Sequence, residues 1–160
     1  MPSNESHSQA VDILHYLARS AHFIRREFKA ELATLNLPFT ISGPRLRLLS
    51  TVHNAGQIRM NELAAKLGIQ ARTVTDFVDG LEKENLIIRL PDPTDRRAIL
   101  VKLTPQAEEH LDKALAKQAE AAELLLQNLN EKQRSELLAL LMQLISTSDL
   151  TNPSVDHLLS

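Results

Sequence analysis

The sequence predicts an α+β fold that is mostly α-helical. In several long stretches the apolar residues recur every three or four positions, which is the spacing of one face of a helix. Beyond Asn85 the period changes to two, over two short stretches of alternating residues that are typical of β-strands. Two prolines and a cluster of Asp and Thr residues separate these stretches, so a tight hairpin is predicted between them.

The first helix is predicted from Gln9 to Leu35. Its apolar residues lie three or four positions apart throughout, so they form one stripe along the helix. Pro38 ends this pattern, because the residue before a proline is disfavoured in the helical conformation. Residues 1–8 are polar and are expected to be disordered.

A second helix is predicted next, with Thr40 or Ser42 as its N-cap and Pro44 in its first turn. Gly56 is expected to end this helix, because glycine readily leaves the helical conformation. Residues 57–60 then form a brief extended segment. In a winged helix this segment would be the third strand of a small sheet.

Two short helices joined by a tight turn follow this segment. Asn61 is a good N-cap for the first of them, and Gly68 can adopt the left-handed conformation that ends it. The second helix places its apolar residues at core spacing and is expected to stop at Asn85. Such a pair forms a helix-turn-helix motif, whose second helix can enter the major groove of DNA.

The polar face of the second motif helix carries the predicted groove contacts. Arg72, Thr73 and Thr75 have donors and acceptors that suit base edges and phosphates, although an ordinary solvated helix face would have the same composition. Two acidic residues on this face are expected either to accept from a cytosine amino group or to pair with nearby cations. The acidic residues are Asp76 and Asp79, and the cations are Arg72 and Lys83.

A hairpin directly after a helix-turn-helix forms a wing. Arg96 and Arg97 lie at or near its tip, where an arginine can reach a phosphate or a narrow minor groove. The competing interpretation is a solvated hairpin tip. Asp95 precedes Arg97 by two residues, so in an extended arm its carboxylate can hold the guanidinium in one orientation. Alternatively, Asp95 is only a turn residue.

The residues from Asp95 to Thr104 resemble the wing signature of the MarR family of bacterial transcription regulators. In that family the wing has an Asp, any residue, an Arg and then an apolar strand that ends in Leu-Thr. The segments at residues 61–64 and 74–83 are also similar to the family's two motif helices. Two positions depart from the family pattern: Asp76 stands where a basic residue is frequent, and Asn85 where glycine is usual. The resemblance covers nearly the whole chain and implies a winged helix-turn-helix DNA-binding lobe.

The two ends of the chain are predicted to be dimerisation helices. Thr104 starts one helix as a capping hydroxyl before Pro105, and Asn130 caps another with Gln133 as its capping-box partner. These helices have more apolar surface than a winged helix of this size covers, so a second copy of the chain is expected. A two-fold homodimer would hold two recognition helices roughly 34–36 Å apart, one turn of DNA. The predicted division is a DNA-binding lobe at residues 39–103, dimerisation helices at residues 9–38 and 104–147, and a C-terminal tail at residues 148–160.

The composition of the 160-residue chain excludes several classes of function. There is no cysteine, so disulfides, cysteine-ligated zinc and thiol-based sensing are excluded. His15 and His22 lie seven residues apart on one helix without further ligands nearby, so no metal site is expected. No nucleophile elbow or phosphate-binding glycine loop is found, so neither an enzyme nor a cofactor is expected. No apolar stretch approaches membrane-spanning length, and a soluble, cytoplasmic protein is expected.

The formal net charge is −2, but the charge is unevenly distributed. Residues 41–103 contain ten Lys and Arg against seven Asp and Glu, whereas the remainder of the chain is acidic. Because residues 41–103 are mildly basic and the rest of the chain is acidic, this part of the chain is the one expected to contact DNA.

The sequence therefore predicts a DNA-binding transcriptional regulator that binds a pseudo-palindromic duplex site as a homodimer. The resemblance implies a ligand- or stress-responsive repressor. It also implies a small effector, often aromatic or phenolic, in a pocket between the dimerisation helices and the DNA-binding lobe. The alternative is a winged-helix dimer that serves only as a protein–protein interaction module, which salt-dependent binding to duplex DNA would distinguish. The residues assigned to the effector pocket from the resemblance are His22, Arg26, Phe39 and Arg47.

Overall fold

The computed structural model describes the backbone of residues 4–145 and the side chains of residues 8–145. Within this range there are six helices and a small three-stranded sheet, which confirms the predicted α+β, mostly α-helical fold class. The tail predicted at residues 148–160 lies outside the described residues. The helices are α1 (Asn4–Ala33), α2 (Gly43–Ala55), α3 (Met60–Leu67), α4 (Ala71–Lys83), α5 (Pro105–Leu125) and α6 (Glu131–Leu144), and the strands are β1 (Gln57–Arg59), β2 (Ile87–Pro91) and β3 (Ile99–Leu103).

The sheet is antiparallel and has the strand order β1-β3-β2. Ile58 of β1 lies opposite Val101 of β3, and Ile87 of β2 lies opposite Leu103. The extended segment before the helix-turn-helix is therefore the third strand, as predicted, and β2 and β3 form the predicted hairpin. Because β3 is the central strand, it connects the wing to β1, which leads directly into α3.

An aliphatic core lies between the sheet and helices α2, α3, α4 and the first half of α5. The second motif helix buries its apolar face in this core, as its core spacing predicted. Burial of apolar side chains is the main stabilising contribution of such a lobe. The largest fully buried side chains include Leu46, Leu48, Leu49, Leu63, Leu81, Leu86, Ile87 and Leu111.

Several predicted helix boundaries are confirmed by their capping contacts. Ser42 caps α2 by accepting a hydrogen bond from the backbone N–H of Arg45. Gly68 ends α3 in the left-handed conformation, with φ 65°. Asn85 also has a positive φ, 59°, and ends the turn after α4 in the place of the family's usual glycine.

The N-terminal helix differs from its predicted boundaries at both ends. It begins at Asn4, so residues 4–8, which were predicted to be disordered, are helical. No proline or glycine interrupts this stretch. The helix ends at Ala33 instead of Leu35, because Asn36 adopts a left-handed conformation with φ 47° that closes the final turn.

Two further boundaries are corrected. The N-cap of α3 is Arg59 and not Asn61, because the carboxylate of Glu62 reaches back and accepts from the Arg59 backbone N–H at 3.4 Å. Helix α5 ends at Leu125 and does not run on towards Asn128. The guanidinium of Arg134 donates to the carbonyls of Leu126 and Leu129 at 3.0 Å and so stabilises a turn there.

Apolar side chains remain exposed along α1 and α6. Helix α6 has no buried residue in the described chain, and Leu138 and Leu140 are 61% and 62% exposed. Val11 and Tyr16 of α1 are similarly exposed. Contiguous apolar surface of this kind is typical of a surface that another chain covers. None of the helices in the described part of the chain is both long and apolar enough to cross a bilayer.

Thr104 joins three elements through one buried hydroxyl. Its Oγ1 donates to the Asn85 carbonyl at 2.7 Å and accepts from the Ala107 backbone N–H at 3.2 Å. We expect Thr104→Val to lower the free energy of unfolding by roughly 1–3 kcal/mol, because the Asn85 carbonyl and the N-terminus of α5 each lose their hydrogen-bond partner. Urea unfolding measures this change. Thr104→Ser keeps the hydroxyl and should retain most of the stability, and equal losses in both variants would contradict this role.

Candidate nucleic-acid interface

Helix α4 presents a polar surface because its opposite face is buried. Val74, Val78 and Leu81 lie in the core, and this orientation leaves Arg72 and Thr75 exposed. Thr73, the third predicted groove residue, is half-buried. The hydroxyl of Thr75 donates to the carbonyl of Ala71 at 2.9 Å, so its oxygen lone pairs remain free to accept from an outside donor.

The loop at the tip of the β2–β3 hairpin is organised around the buried carboxylate of Asp92. Its Oδ1 accepts from the backbone N–H of Thr94 at 2.8 Å, from the Thr94 hydroxyl at 2.7 Å and from the Asp95 backbone N–H at 3.3 Å. These hydrogen bonds stabilise the charged form, and together with Arg59 they lower the pKa of Asp92 to about 2. The loop is therefore an ordered turn in which a carboxylate replaces missing backbone partners.

Arg59 connects this loop to the helix-turn-helix. Its Nε donates to Asp92 Oδ2 at 2.6 Å and its Nη2 donates to Thr94 Oγ1 at 3.1 Å. Arg59 is also the N-cap residue of α3, so its ion pair with Asp92 connects the wing to the residue at which the first motif helix begins. Neither Arg59 nor Asp92 is evident from the sequence as a site residue, because 33 positions separate the two residues and no local pattern pairs them.

The wing residues predicted to contact DNA are exposed. Arg96 and Arg97 both lie on the surface, and among the described residues neither of them, nor Arg72, takes part in an ion pair. Asp95 was expected to hold the guanidinium of Arg97. Instead, its Oδ1 accepts from the backbone N–H of Arg97 at 3.0 Å, because both residues lie in the turn and not in an extended arm.

An open groove of about 490 Å³ lies between α4 and the wing. Three arginines from separate elements contribute to it: Arg59 from β1, Arg89 from β2 and Arg97 from the wing loop. Asp95 is the single acidic residue among the described residues of the lining. The fold thus brings cations into one concave surface next to Thr75 of the recognition helix, and such a surface can accommodate a polyanion. The complete lining is Arg59, Met60, Asn61, Thr75, Arg89, Asp95, Arg97, Ala98 and Ile99.

Arg89 is held by two carboxylates of α4. It forms ion pairs with Asp79 and with Glu82, which lie three residues apart on one face of that helix. This contact corrects the sequence interpretation of Asp79, which was expected to pair with Arg72 or Lys83 or to accept from a base. The true partner comes from the following strand, because β2 folds back along α4.

The four residues assigned to an effector pocket are not brought together. His22 and Arg26 line an open groove of about 700 Å³ along α1, and this groove includes neither Phe39 nor Arg47. Phe39 packs edge-on against the ring of His110 of α5, with 5.6 Å between ring centroids. Arg47 is exposed on α2. Among the described residues, no group of three or more His, Asp and Glu side chains is arranged to hold a metal ion.

Comparison with known proteins agrees with this architecture. The model of the MarR family matches residues 41–99, which span most of the winged helix-turn-helix lobe. The chain is 30% identical over 125 residues to YhbI of Bacillus subtilis (strain 168), an uncharacterized HTH-type transcriptional regulator, and the match covers 78% of this chain and 81% of YhbI. The chain belongs to the MarR family. It is a transcription regulator of a non-enzymatic family. The chain is also 29% identical to YsmB of B. subtilis over 82 residues, and this match covers 56% of YsmB.

Two solved structures of transcription regulators share the fold. A mutant MarR from E. coli complexed with operator DNA has a TM-score of 0.75 at 22% identity, and the match covers 86% of this chain and 96% of that one. The organohalide-sensing regulator RdhR-CbdbA1625, bound to 2,4-dichlorophenol, has a TM-score of 0.73 at 23% identity over 89% of this chain and 80% of its own. The MarR fold, with its winged helix-turn-helix, is therefore confirmed.

The buried carboxylate of the MarR-type wing predicts a pH dependence of stability. Because the pKa of Asp92 is lowered from 3.8 to about 2, ionised Asp92 stabilises the fold above about pH 4, and this contribution is lost as the pH falls through about 2. We expect Asp92→Asn to unfold at lower urea concentration than wild type at pH 7, with a difference that shrinks on acidification towards pH 2. Asp112→Asn, at an exposed position of α5, is the control. A difference that stays constant from pH 7 to pH 2 would contradict the assigned network.

Proposed function

We propose that this protein is a ligand- or stress-responsive repressor that binds a pseudo-palindromic duplex DNA site as a homodimer. The observation that carries this proposal is the groove between α4 and the wing, in which arginines of three elements adjoin the recognition helix. A duplex seated there would receive α4 in its major groove and the wing loop at the adjacent backbone or minor groove.

The distribution of paired and unpaired cations supports DNA binding. Arg45 pairs with Glu84, Arg59 with Asp92, and Arg89 with two carboxylates, so these cations stabilise the lobe itself. Arg72, Arg96 and Arg97 lie on the same lobe, and in the described chain they form no ion pair. Cations that are exposed and not neutralised are the ones that displace counterions from phosphate.

The exposed faces of α1 and α6 support the homodimer. Both helices expose apolar side chains that the chain itself leaves uncovered, including Leu14 at 61% and Leu144 at 54% exposure. A two-fold dimer would cover these faces in both copies at once, because an isologous interface uses the same surface twice. The two recognition helices would then contact two DNA half-sites about 34–36 Å apart.

The effector is proposed to be a small aromatic or phenolic molecule. The relative RdhR-CbdbA1625 is described as an organohalide-sensing regulator that binds 2,4-dichlorophenol. In this chain, the α1 groove that contains His22 and Arg26 also contains Tyr16 and Phe23. Aromatic side chains can stack on an aromatic ligand, and a guanidinium can pair with a phenolate oxygen. Phe39 and Arg47 remain proposed contacts for a ligand seated nearer the DNA-binding lobe.

Removal of the wing arginine in the groove should weaken DNA binding. With duplexes that the wild type selects from a random library, we expect Arg97→Ala to cost roughly 1–3 kcal/mol per contact. A dimer makes this contact twice, so the slope of log affinity against log salt should fall in magnitude by about two. Salt titration of binding measures both effects.

Two further variants serve as comparisons for Arg97→Ala. Asp95→Asn keeps an oxygen that can accept from the Arg97 backbone N–H, so it should cost less and leave the salt slope nearly unchanged. Lys132→Ala removes an equivalent charge from the exposed surface of α6 and should bind as the wild type does. If Arg97→Ala retains wild-type affinity at every salt concentration, the wing does not touch DNA.

Acidic residues on the exposed face of α6 should prevent dimerisation. Leu140 and Leu144 lie one helical turn apart, and we expect Leu140→Glu/Leu144→Glu to dissociate the dimer because two charges per copy would be buried at the interface. Light scattering at micromolar concentration should give twice the 17.9 kDa chain mass for wild type and the single mass for the variant. Gln143→Glu controls for charge on the same helix. A monomeric wild type would contradict the two-half-site arrangement.

A further inference from the structure

We propose that Arg89 is a positioning residue of the DNA interface. It pairs with two carboxylates on the recognition helix, reduces their repulsion of phosphate, and so controls how strongly the lobe attracts DNA. This inference rests on the proposed DNA-binding function. In this inference Asp79 and Glu82 bind the guanidinium of Arg89, which would otherwise be available to contact the duplex.

The geometry of the three side chains supports this role. Arg89 donates through Nη2 to Asp79 and through Nη1 to Glu82, so both carboxylates engage one guanidinium. The Arg89 side chain is 22% exposed, whereas Asp79 and Glu82 are 49% and 42% exposed. The guanidinium is therefore the less exposed member of the cluster, and its two partners remain half in solvent.

The position of the cluster connects it to DNA. Arg89 lines the groove between α4 and the wing, and neither Asp79 nor Glu82 belongs to that lining. Both carboxylates nevertheless lie on α4, the helix whose N-terminal half carries Thr75 into the same groove. Without Arg89, two uncompensated negative charges would stand beside the path of the phosphates, and like charges at an interface oppose association.

The cluster has a net charge of −1, because one guanidinium faces two carboxylates. Removal of both carboxylates changes this charge to +1 and leaves Arg89 free to approach a phosphate. The structure therefore leads to an unusual expectation, which is a gain in DNA affinity from the loss of two residues of the recognition helix. A generally weakened fold would not produce such a gain.

Three variants test the inference with duplexes that the wild type selects from a random library. Arg89→Ala should bind at least about tenfold more weakly at low salt, because a cation is lost and two carboxylates are exposed. Asp79→Asn/Glu82→Gln should bind about threefold or more tightly than wild type and have a steeper salt dependence. The triple variant, which combines Arg89→Ala with Asp79→Asn and Glu82→Gln, should recover to within about threefold of wild type.

Glu84→Gln is the matched control. It removes one carboxylate that also pairs with an arginine, Arg45, at the end of the same helix, but neither residue lines the groove. Its DNA affinity should stay within about twofold of wild type. Circular dichroism and urea unfolding show whether each variant remains folded.

The outcomes separate the inference from the function on which it rests. A double variant that binds more weakly than wild type would overturn the inference and indicate that Asp79 or Glu82 contacts a base. A folded triple variant that binds as weakly as Arg89→Ala would also overturn it, and Arg89 would then contact phosphate directly. If the wild type binds no duplex DNA in a salt-dependent manner, the proposed function itself fails.

Discussion

The ion pair between Arg59 and Asp92 relates the wing to the helix-turn-helix. Arg59 is the N-cap residue of α3, and Asp92 organises the turn at the tip of the hairpin. Their ion pair therefore connects the wing loop to the residue at which the first motif helix begins. A hairpin joined to its lobe only through strand pairing would be free to twist, because β-ribbons twist readily. The second contact of the guanidinium, with Thr94, restrains its fork in one plane.

The lobe separates its structural charges from its exposed charges. Arg45, Arg59 and Arg89 are each paired across elements that are distant in sequence or separated by a turn, and these pairs restrain the helices and the wing against one another. Arg72, Arg96 and Arg97 face solvent. A formal net charge of −2 is therefore compatible with a surface that attracts a polyanion, because the interaction with phosphate depends on the local charge and not on the sum over the chain.

The two parts of the chain differ in how they are stabilised. The lobe has its own aliphatic core of fully buried side chains, whereas α6 buries none of its residues in the described chain. Arg134 stabilises the turn between α5 and α6 by donating to the carbonyls of Leu126 and Leu129. In the proposed homodimer the apolar faces of α1 and α6 would be covered by the second copy. The stability of the terminal helices would then depend on protein concentration.

The sequence by itself determined those features that short-range interactions decide. Helix and strand periods, the Thr104 cap, the left-handed stops at Gly68 and Asn85, and the exposed wing arginines follow from neighbours within a few positions. An observed helix boundary differs from the predicted one where a side chain makes a capping contact that the pattern of apolar residues does not show, as Glu62 does with the backbone N–H of Arg59. Only the tertiary structure decided that Arg89 pairs with Asp79 and Glu82, and that Arg59 meets Asp92 across 33 positions. Charged side chains are long and can pair with any opposite charge within reach, so their partners are selected by the packing of the core and not by spacing along the chain.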